Sequence, residues 1–442
     1  MEINKIMKMF NKPISKIGKV CANIIKLLFN GQGRLFAIIS SCCLLLSCYI
    51  VNNFPIFTGE SMFQYICYQK ICKFLGIHKE VDYGNVVFFN TSYDNAIIPT
   101  YDYHNTDIPE PIGNETITDR CKLFKLLKLL HASKSYKFII LDIGFDKKDV
   151  SQCDDSLFNQ INQMDLIVFG NHENLNLTNK LAGKDRDALV SYYITKSNTN
   201  FGRYEYSEDD KRSIPLFVYE HLHPNKKMIR YGYSRFSLFF MDGSLCQNTN
   251  FLTFDDFLTE NDTAQEQTKL SNNYVSFSDD IYNIGQYLYK PEATFHEQIN
   301  EIDRLTKDKI VIIGDLTNDI HDTYMGEKPG PLIIARALQT LEEGKNKVLL
   351  GQAIFWFIVF YLLSYLIYTQ KNLSNYFPLI KAKLHLFVRF ILSLVSYTIV
   401  LIVCSFIEYA VYDHVYSMVI PLLYFALLKI YVQYNHLRNY ET

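Results

Sequence analysis

The sequence predicts an α/β extracytoplasmic domain, with a largely parallel or mixed sheet and flanking helices, joined to an α-helical transmembrane region of four spans. Three observations predict it. Short apolar β-branched runs alternate with stretches of helical periodicity through the middle of the chain, and this alternation calls for crossover connections and parallel pairing. Four apolar segments stand outside that region, one before it and three after it. Basic residues flank those segments in a pattern that puts every basic connection on one side of a membrane.

Residues 1–34 carry seven Lys/Arg (Lys5, Lys8, Lys12, Lys16, Lys19, Lys26 and Arg34) against the single acid Glu2. Phe10, Ile14, Ile17, Ile24 and Leu28 fall at roughly helical spacing between these lysines. Two readings stay open there, a helix lying on the inner leaflet and a charged flank that only sets orientation. Leu35 to Val51, LFAIISSCCLLLSCYIV, is uncharged and just long enough for a hydrocarbon core of about 30 Å. A cleaved signal, or a lipoprotein signal ending at Cys48, is the alternative. The basic region is longer than a normal n-region and Leu46 suits a lipobox poorly, so a retained anchor is expected.

Glu60 to Gly76 reads as a helix leaving the membrane, and Asn85 to Asn90 as a central strand. Asn95 to Glu115 contains Pro99, Pro109 and Pro111 and is expected to be a long loop. Thr118 to Ala132 has Leu123, Leu126, Leu127 and Leu130 at helical spacing, with Thr118 as a possible cap. Lys137 to Phe145 is a strand containing Asp142, Asp155 to Met164 a helix, and Leu166 to Phe169 a further strand. Between Gly202 and Gln298 the pattern weakens: Leu216 to Tyr219 and Arg235 to Met241 are candidate strands, and polar Asn248 to Asn273 a surface excursion. Then Val311, Ile312 and Ile313 form an apolar run closed by Gly314 and Asp315, and a helix begins after the turn at Gly326, Pro329 and Gly330.

Val348 to Tyr368, Leu384 to Ile407 and Val415 to Val432 are the remaining predicted spans, with Arg389 and Lys429 able to snorkel. The linker between the first two of these carries Lys371, Lys381 and Lys383, and the next turn carries Glu408 and Asp413. With Arg438 in the tail, both termini are expected in the cytoplasm and residues 52–347 outside. The expected organisation is therefore a basic tail (1–34), a first span (35–51), an extracytoplasmic domain (52–347), three spans within 348–432, and a short tail (433–442).

Chemistry concentrates at the carboxyl end of the last strand, where Asp315, Asp319, His321 and Asp322 stand in a loop. Open α/β sheets present ligands at such ends. Together with Asp142 from a neighbouring strand, these residues are the candidate ligand-binding set, suited to a cation or a small molecule. The competing reading is that they hold an irregular loop together by bonding its amides. No catalytic residue, metal ligand or cofactor is assigned.

Gly170-Asn171-His172-Glu173 and Gly314-Asp315-Leu316-Thr317-Asn318-Asp319 are similar to turns of calcineurin-like metallophosphoesterases, in which such groups clamp two metals. Their order here is reversed and the companion Asp-x-His and Gly-His-x-His motifs are missing, so an enzyme is not expected. A net charge of −2, with none of the usual recognition motifs, argues against a general nucleic-acid binder. Of ten cysteines, Cys67, Cys72, Cys121, Cys153 and Cys246 would lie outside, an odd set within which one pair can be oxidised. Apolar packing is the expected role of Cys67 and Cys72. Richness in Asn, Ile, Lys and Tyr points to an AT-rich bacterial genome, where the Asn-x-Ser/Thr matches carry no meaning.

The Gly-Asp strand end, the following Asp319, His321-Asp322-Thr323 and the Pro329-Gly330 helix start resemble the closing segment of a CHASE type 2 domain, an extracytoplasmic sensory module. An early Val-Val strand, a leucine helix and a Leu-Asp-Ile strand extend the resemblance over most of residues 80–345. Asn90-Thr91-Ser92-Tyr93-Asp94 replaces the acidic pattern that many relatives carry on the first strand. The resemblance implies a bacterial inner-membrane sensor whose relatives continue into a cytoplasmic cyclase, kinase or phosphodiesterase. Here about ten residues follow the last span, so output is expected through a separate signalling protein. The expected partners are the lipid bilayer, an unidentified small-molecule or envelope ligand and that signalling protein, with oligomerisation open. A ligand-independent envelope scaffold is the main rival, and a metal-dependent phosphoesterase the second.

Overall fold

The protein is described by a computed structural model covering residues 33–53, 58–76, 85–102, 110–145, 151–171, 187–189, 192–194, 201–208, 211–233, 236–252, 295–324, 326–370 and 386–441. The chain divides into two compact units, Met1–Ile77 with Val348–Thr442, and His78–Lys347. The amphipathic pattern within 1–28 lies outside the described residues, as does 253–273 of the surface excursion expected over 248–273; its start is corrected, because Thr249 and Asn250 form a strand and Asn248 to Leu252 are all buried.

The first unit opens with α1 (Arg34–Asn52) and α2 (Thr58–Phe74). The sequence pattern put α2 in the domain 52–347, whereas it groups with the apolar helices.

In the second unit, β1 (Val86–Asn90) leads into an antiparallel hairpin of β2 (Asn95–Asp102) and β3 (Glu110–Thr118). This corrects the loop expected over 95–115. Proline blocks a helix but not a two-stranded ribbon, in which each strand has a free edge that needs no donor, and Pro99 and Pro111 sit within it. Next come α3 (Arg120–Ser133), β4 (Phe138–Asp142), α4 (Asp154–Gln163), β5 (Ile167–Asn171), β6 (Asp187–Leu189), β7 (Tyr192–Ile194) and β8 (Phe201–Glu205). The cap of α3 is Asp119, not the expected Thr118: its carboxylate accepts from the amides of Cys121 (2.9 Å) and Lys122 (3.1 Å).

A short ribbon, β9 (Ser207–Glu208) and β10 (Lys211–Arg212), precedes α5 (Ile214–Leu222). The expected strand at Leu216–Tyr219 is thus corrected to helix. Pro215 in the first turn starts it, and its apolar run is continuous because Leu216, Val218 and Tyr219 are all buried. A meander of β11 (Met228–Tyr231), β12 (Leu238–Met241) and β13 (Ser244–Cys246) follows, then β14 (Thr249–Asn250) and α6 (Phe295–Thr306). The unit closes with β15 (Ile310–Gly314), β16 (Ile320–Thr323), β17 (Gly326–Pro329) and α7 (Gly330–Glu342).

Five strands make the central sheet in the order β1-β15-β4-β5-β6, all parallel. The strand of this sheet that comes last in the chain is inserted between the first and the second. Every residue of β4 and β15 is buried, as expected when helices cover both faces. Val87, Phe89, Ile139, Leu141, Val311 and Ile313 pack with Leu127, Leu157 and Ile302 from α3, α4 and α6. Alternation sends Phe138, Ile140 and Asp142 to the opposite face, where Phe138 meets Phe217 and His221 of α5 at 6.3 and 5.5 Å. A second sheet, β14-β8-β16-β17 with β7 beside β8, includes the strand that follows the β15 loop. Cys121, at the start of α3, and Cys153, at the cap of α4, form a disulfide with Cα atoms 5.1 Å apart.

The first unit is completed by α8 (Leu350–Tyr368), α9 (Leu386–Tyr412) and α10 (Val419–Glu441). Among the described residues, three helical stretches, Arg34–Asn52, Leu350–Tyr368 and Leu394–Tyr412, are long and apolar enough to cross a membrane, and Val419–Tyr434 is a shorter apolar stretch; Glu408, expected in a turn, is corrected to a helical position within the third of them. Leu44, Trp356, Phe360, Tyr397, Leu401 and Phe425 form the centre of this bundle. Ser40 of α1 bonds Ser364 of α8 at 2.8 Å, a contact between small polar residues that brings two apolar helices close.

Candidate functional site

The site begins with register. Asn90, Gly314 and Asp142 are lateral neighbours at the carboxyl ends of β1, β15 and β4. Gly314 is required there because a Cβ would stand 2.6 Å from Pro331 Cγ and 3.1 Å from Asp142 Cβ. The missing side chain lets the first turn of α7 settle against the strand end, next to Asp142.

The loop after β15 is tied down on the β1 side. Asp315 accepts from Ser92 Oγ (2.6 Å), from the amides of Thr317 (2.9 Å) and Asn318 (2.7 Å), and from Asn318 Nδ2 (2.8 Å). Asn90 Oδ1 accepts from the amides of Ser92 (3.0 Å) and Leu316 (3.1 Å). Burial alone would raise the pKa of Asp315, but the bonds from Ser92, Asn318 and Thr317 outweigh it and hold the carboxyl below its usual range. These donors come from Ser92 and from the loop residues Thr317 and Asn318, so Asp315 organises the loop.

On the β4 side the chemistry differs. Asp319 turns toward Asp142: the Gly330 amide donates to the Asp319 backbone carbonyl at 2.9 Å, and Asp319 Oδ1 meets His321 Nε2 at 3.0 Å. A Cβ at Gly330 would collide with Asp319 Oδ2 and lie 3.0 Å from Asp142 Oδ2. Both carboxylates therefore crowd the Cα of Gly330. Asp142 is only 7% exposed, and its Oδ2 has no hydrogen-bond partner among the described residues. Burial, then the charge of Asp319, push its pKa up to about 7, with His321 opposing. The bond to Asp319 raises the pKa of His321 against its partial burial. Tyr204 of β8, fully buried, is the other titratable group that senses Asp142, and burial drives its pKa upward.

Of the five residues expected from sequence, the fold therefore gathers Asp142, Asp319 and His321. Asp315 lies on the other side of the β15 end, bonded to Ser92. Asp322 alternates away from His321 along β16 and is exposed. Sequence reasoning missed Tyr204 and Gly330. Neither carried a signal, since one sits in a weakly patterned stretch and the other read only as a helix start.

Comparison with family models, with curated proteins and with solved structures finds no match. The chemistry of the site therefore rests on its own atoms. Among the described residues no three His, Cys, Asp or Glu side chains are arranged to hold a metal ion. Gly170 and Asn171 end β5, whereas His172 and Glu173 lie outside the described residues. An oxygen of Asp142 and an oxygen of Asp319, both acceptors when ionised, meet over one Cα; a proton on Asp142 converts that repulsion into attraction.

Proposed function

We propose that the chain is a bacterial inner-membrane sensory protein in which residues 78–347 form an extracytoplasmic input domain and a separate protein receives the output. The observation that carries this reading is the buried, unpartnered Oδ2 of Asp142 beside Asp319 at the carboxyl edge of a parallel sheet. Such a group is in balance between a neutral state and a charged state that strains the first turn of α7. Protonation, or a small cation that displaces the proton, is the input chemistry, and movement of the 315–319 loop is the response.

Four membrane crossings, by α1, α8, α9 and α10, with both termini cytoplasmic, accord with the basic residues at 1–34 and 371–383 and the acid Asp413 in the opposite turn. The Cys121–Cys153 disulfide supports an oxidising compartment for the domain. The sensory role is proposed on the motifs that resemble CHASE type 2 domains over most of residues 80–345, from the Val-Val strand to the Pro329-Gly330 helix start.

A scaffold reading draws on one feature. The meander edge exposes Ile229, Tyr231 and Tyr233, an aromatic and aliphatic set of the kind that docks proteins. Affinity capture of the intact protein from its native membrane, with mass spectrometry of proteins and small molecules, separates the two. A kinase, cyclase or other regulator, whose recovery changes in Asp142→Asn, supports the sensor; envelope-building proteins alone, unaffected by that substitution, overturn it in favour of the scaffold.

A further inference from the structure

A second buried carboxyl stands in the other unit. Glu408 of α9 is 0% exposed, as is Gln352 of α8, and the two are joined by a 2.7 Å bond from Gln352 Nε2 to Glu408 Oε1. Glu408 belongs to one of the helical stretches apolar enough to cross a membrane, where an ionisable side chain is expensive to keep unless it is paired or neutral.

Three polar atoms around that bond have no partner by hydrogen-bond geometry: Glu408 Oε2, Gln352 Oε1 and Trp356 Nε1. The indole N–H is close enough to the carboxyl to favour its charged form but does not meet hydrogen-bond geometry. Gln352 Oε1 remains, an acceptor with no hydrogen-bond partner among the described residues. Among the described residues, the other titratable groups around Glu408 are Cys48 of α1 and Tyr68 of α2, which both also sense Glu60, and Cys404 of α9. None is a cation. Lys429 of α10 stands elsewhere, 5.6 Å over the Tyr397 ring.

We propose that Glu408 is a proton-binding site within the helix bundle, held as the neutral acid in a reciprocal pair with Gln352 that fastens α9 to α8. The Oε2–H of Glu408 donates to Gln352 Oε1, while Gln352 Nε2–H donates to Glu408 Oε1. Both unpartnered acceptors are then accounted for by one proton, and no buried charge remains. When the proton leaves, the O–H bond breaks and its electron pair stays on Glu408. Gln352 Oε1 then has no donor from Glu408, one of the two bonds of the pair is lost, and the fastening between the helices weakens. The ligand is a proton, so the bundle itself responds to proton supply independently of the Asp142 site.

The test is infrared difference spectroscopy of the full-length protein in lipid nanodiscs at neutral pH. The wild type minus Glu408→Gln spectrum is expected to contain the C=O stretch of one protonated carboxyl, which Glu60→Gln leaves in place. An unchanged carboxyl region in Glu408→Gln means that Glu408 is ionised and overturns the proposal. Gln352→Leu provides a second route if Glu408→Gln does not accumulate. Loss of the amide partner is expected to move the same band to higher wavenumber, and an unmoved band overturns the reciprocal pair.

Discussion

The carboxylate of Asp319 and the Cα of Gly330 are packed so closely that a single methyl group between them has no room. The same Cα is approached by Asp142 Oδ2, so the start of α7 is shaped around two acids from different strands. Gly330→Ala is therefore expected to destabilise the domain by about 1–3 kcal/mol, the usual cost of overpacking a filled site. Chemical denaturation of the purified protein measures it, and a loss below about 0.5 kcal/mol would contradict such crowding.

Asp142 makes the stability of the domain depend on pH in a set direction. Its pKa in the fold, about 7 against an ordinary 3.8, means that the folded state binds more protons than the unfolded state between those values. Stability from this group is complete at acid pH below about 4 and is lost as pH rises through about 7. The raised pKa of His321 acts with the same sign. The total for Asp142 is on the order of 4 kcal/mol, because each tenfold gain in proton affinity is worth about 1.4 kcal/mol. Asp142→Asn should flatten the profile and, at pH 8, melt above the wild type. Equal slopes for the two proteins between pH 5 and pH 8 would contradict the buried acid.

Asp315 works in the opposite sense. Its pKa is held low by donors, so its contribution is present above its unfolded value and lost as pH falls through the folded one. Asp315→Ala removes the acceptor for Ser92 Oγ and two backbone amides and should cost about 2–3 kcal/mol. Ser92→Ala should cost about 1 kcal/mol. Hydrogen exchange is the closer probe, with faster exchange at the Thr317 and Asn318 amides in Asp315→Ala than in the wild type.

The bridge between Cys121 and Cys153 spans a sequence separation of 32 residues. Closing a loop of that size in the unfolded chain is worth about 3–4 kcal/mol. Thermal melts with and without reductant should differ by several degrees, and non-reducing peptide mapping of protein from native membranes should recover the linked pair. Two free thiols at these positions would remove the support for an oxidising compartment.

The parts of this protein legible in sequence are those whose signal is local. The apolar runs at Val86–Phe89, Phe138–Leu141 and Ile310–Ile313 declared buried strands because both faces are covered. The long apolar helices declared themselves by length, and Asp142, Asp319 and His321 by lying at or after the ends of apolar strands. Tertiary structure decided what depends on who sits beside whom. It inserted β15 between β1 and β4, which brought Asp142 next to Gly314 and so within reach of Asp319. It separated Asp315 from the cluster through Ser92, and Asp322 through strand alternation. It turned the proline-bearing segment into a ribbon, because an unpaired edge forgives a missing donor, and it chose Cys121 and Cys153 from five candidates by bringing two helix starts together. Residue type announces burial and periodicity along the chain, but Asp142 and Asp319 are far apart in sequence, and only packing brings both carboxyls against Gly330.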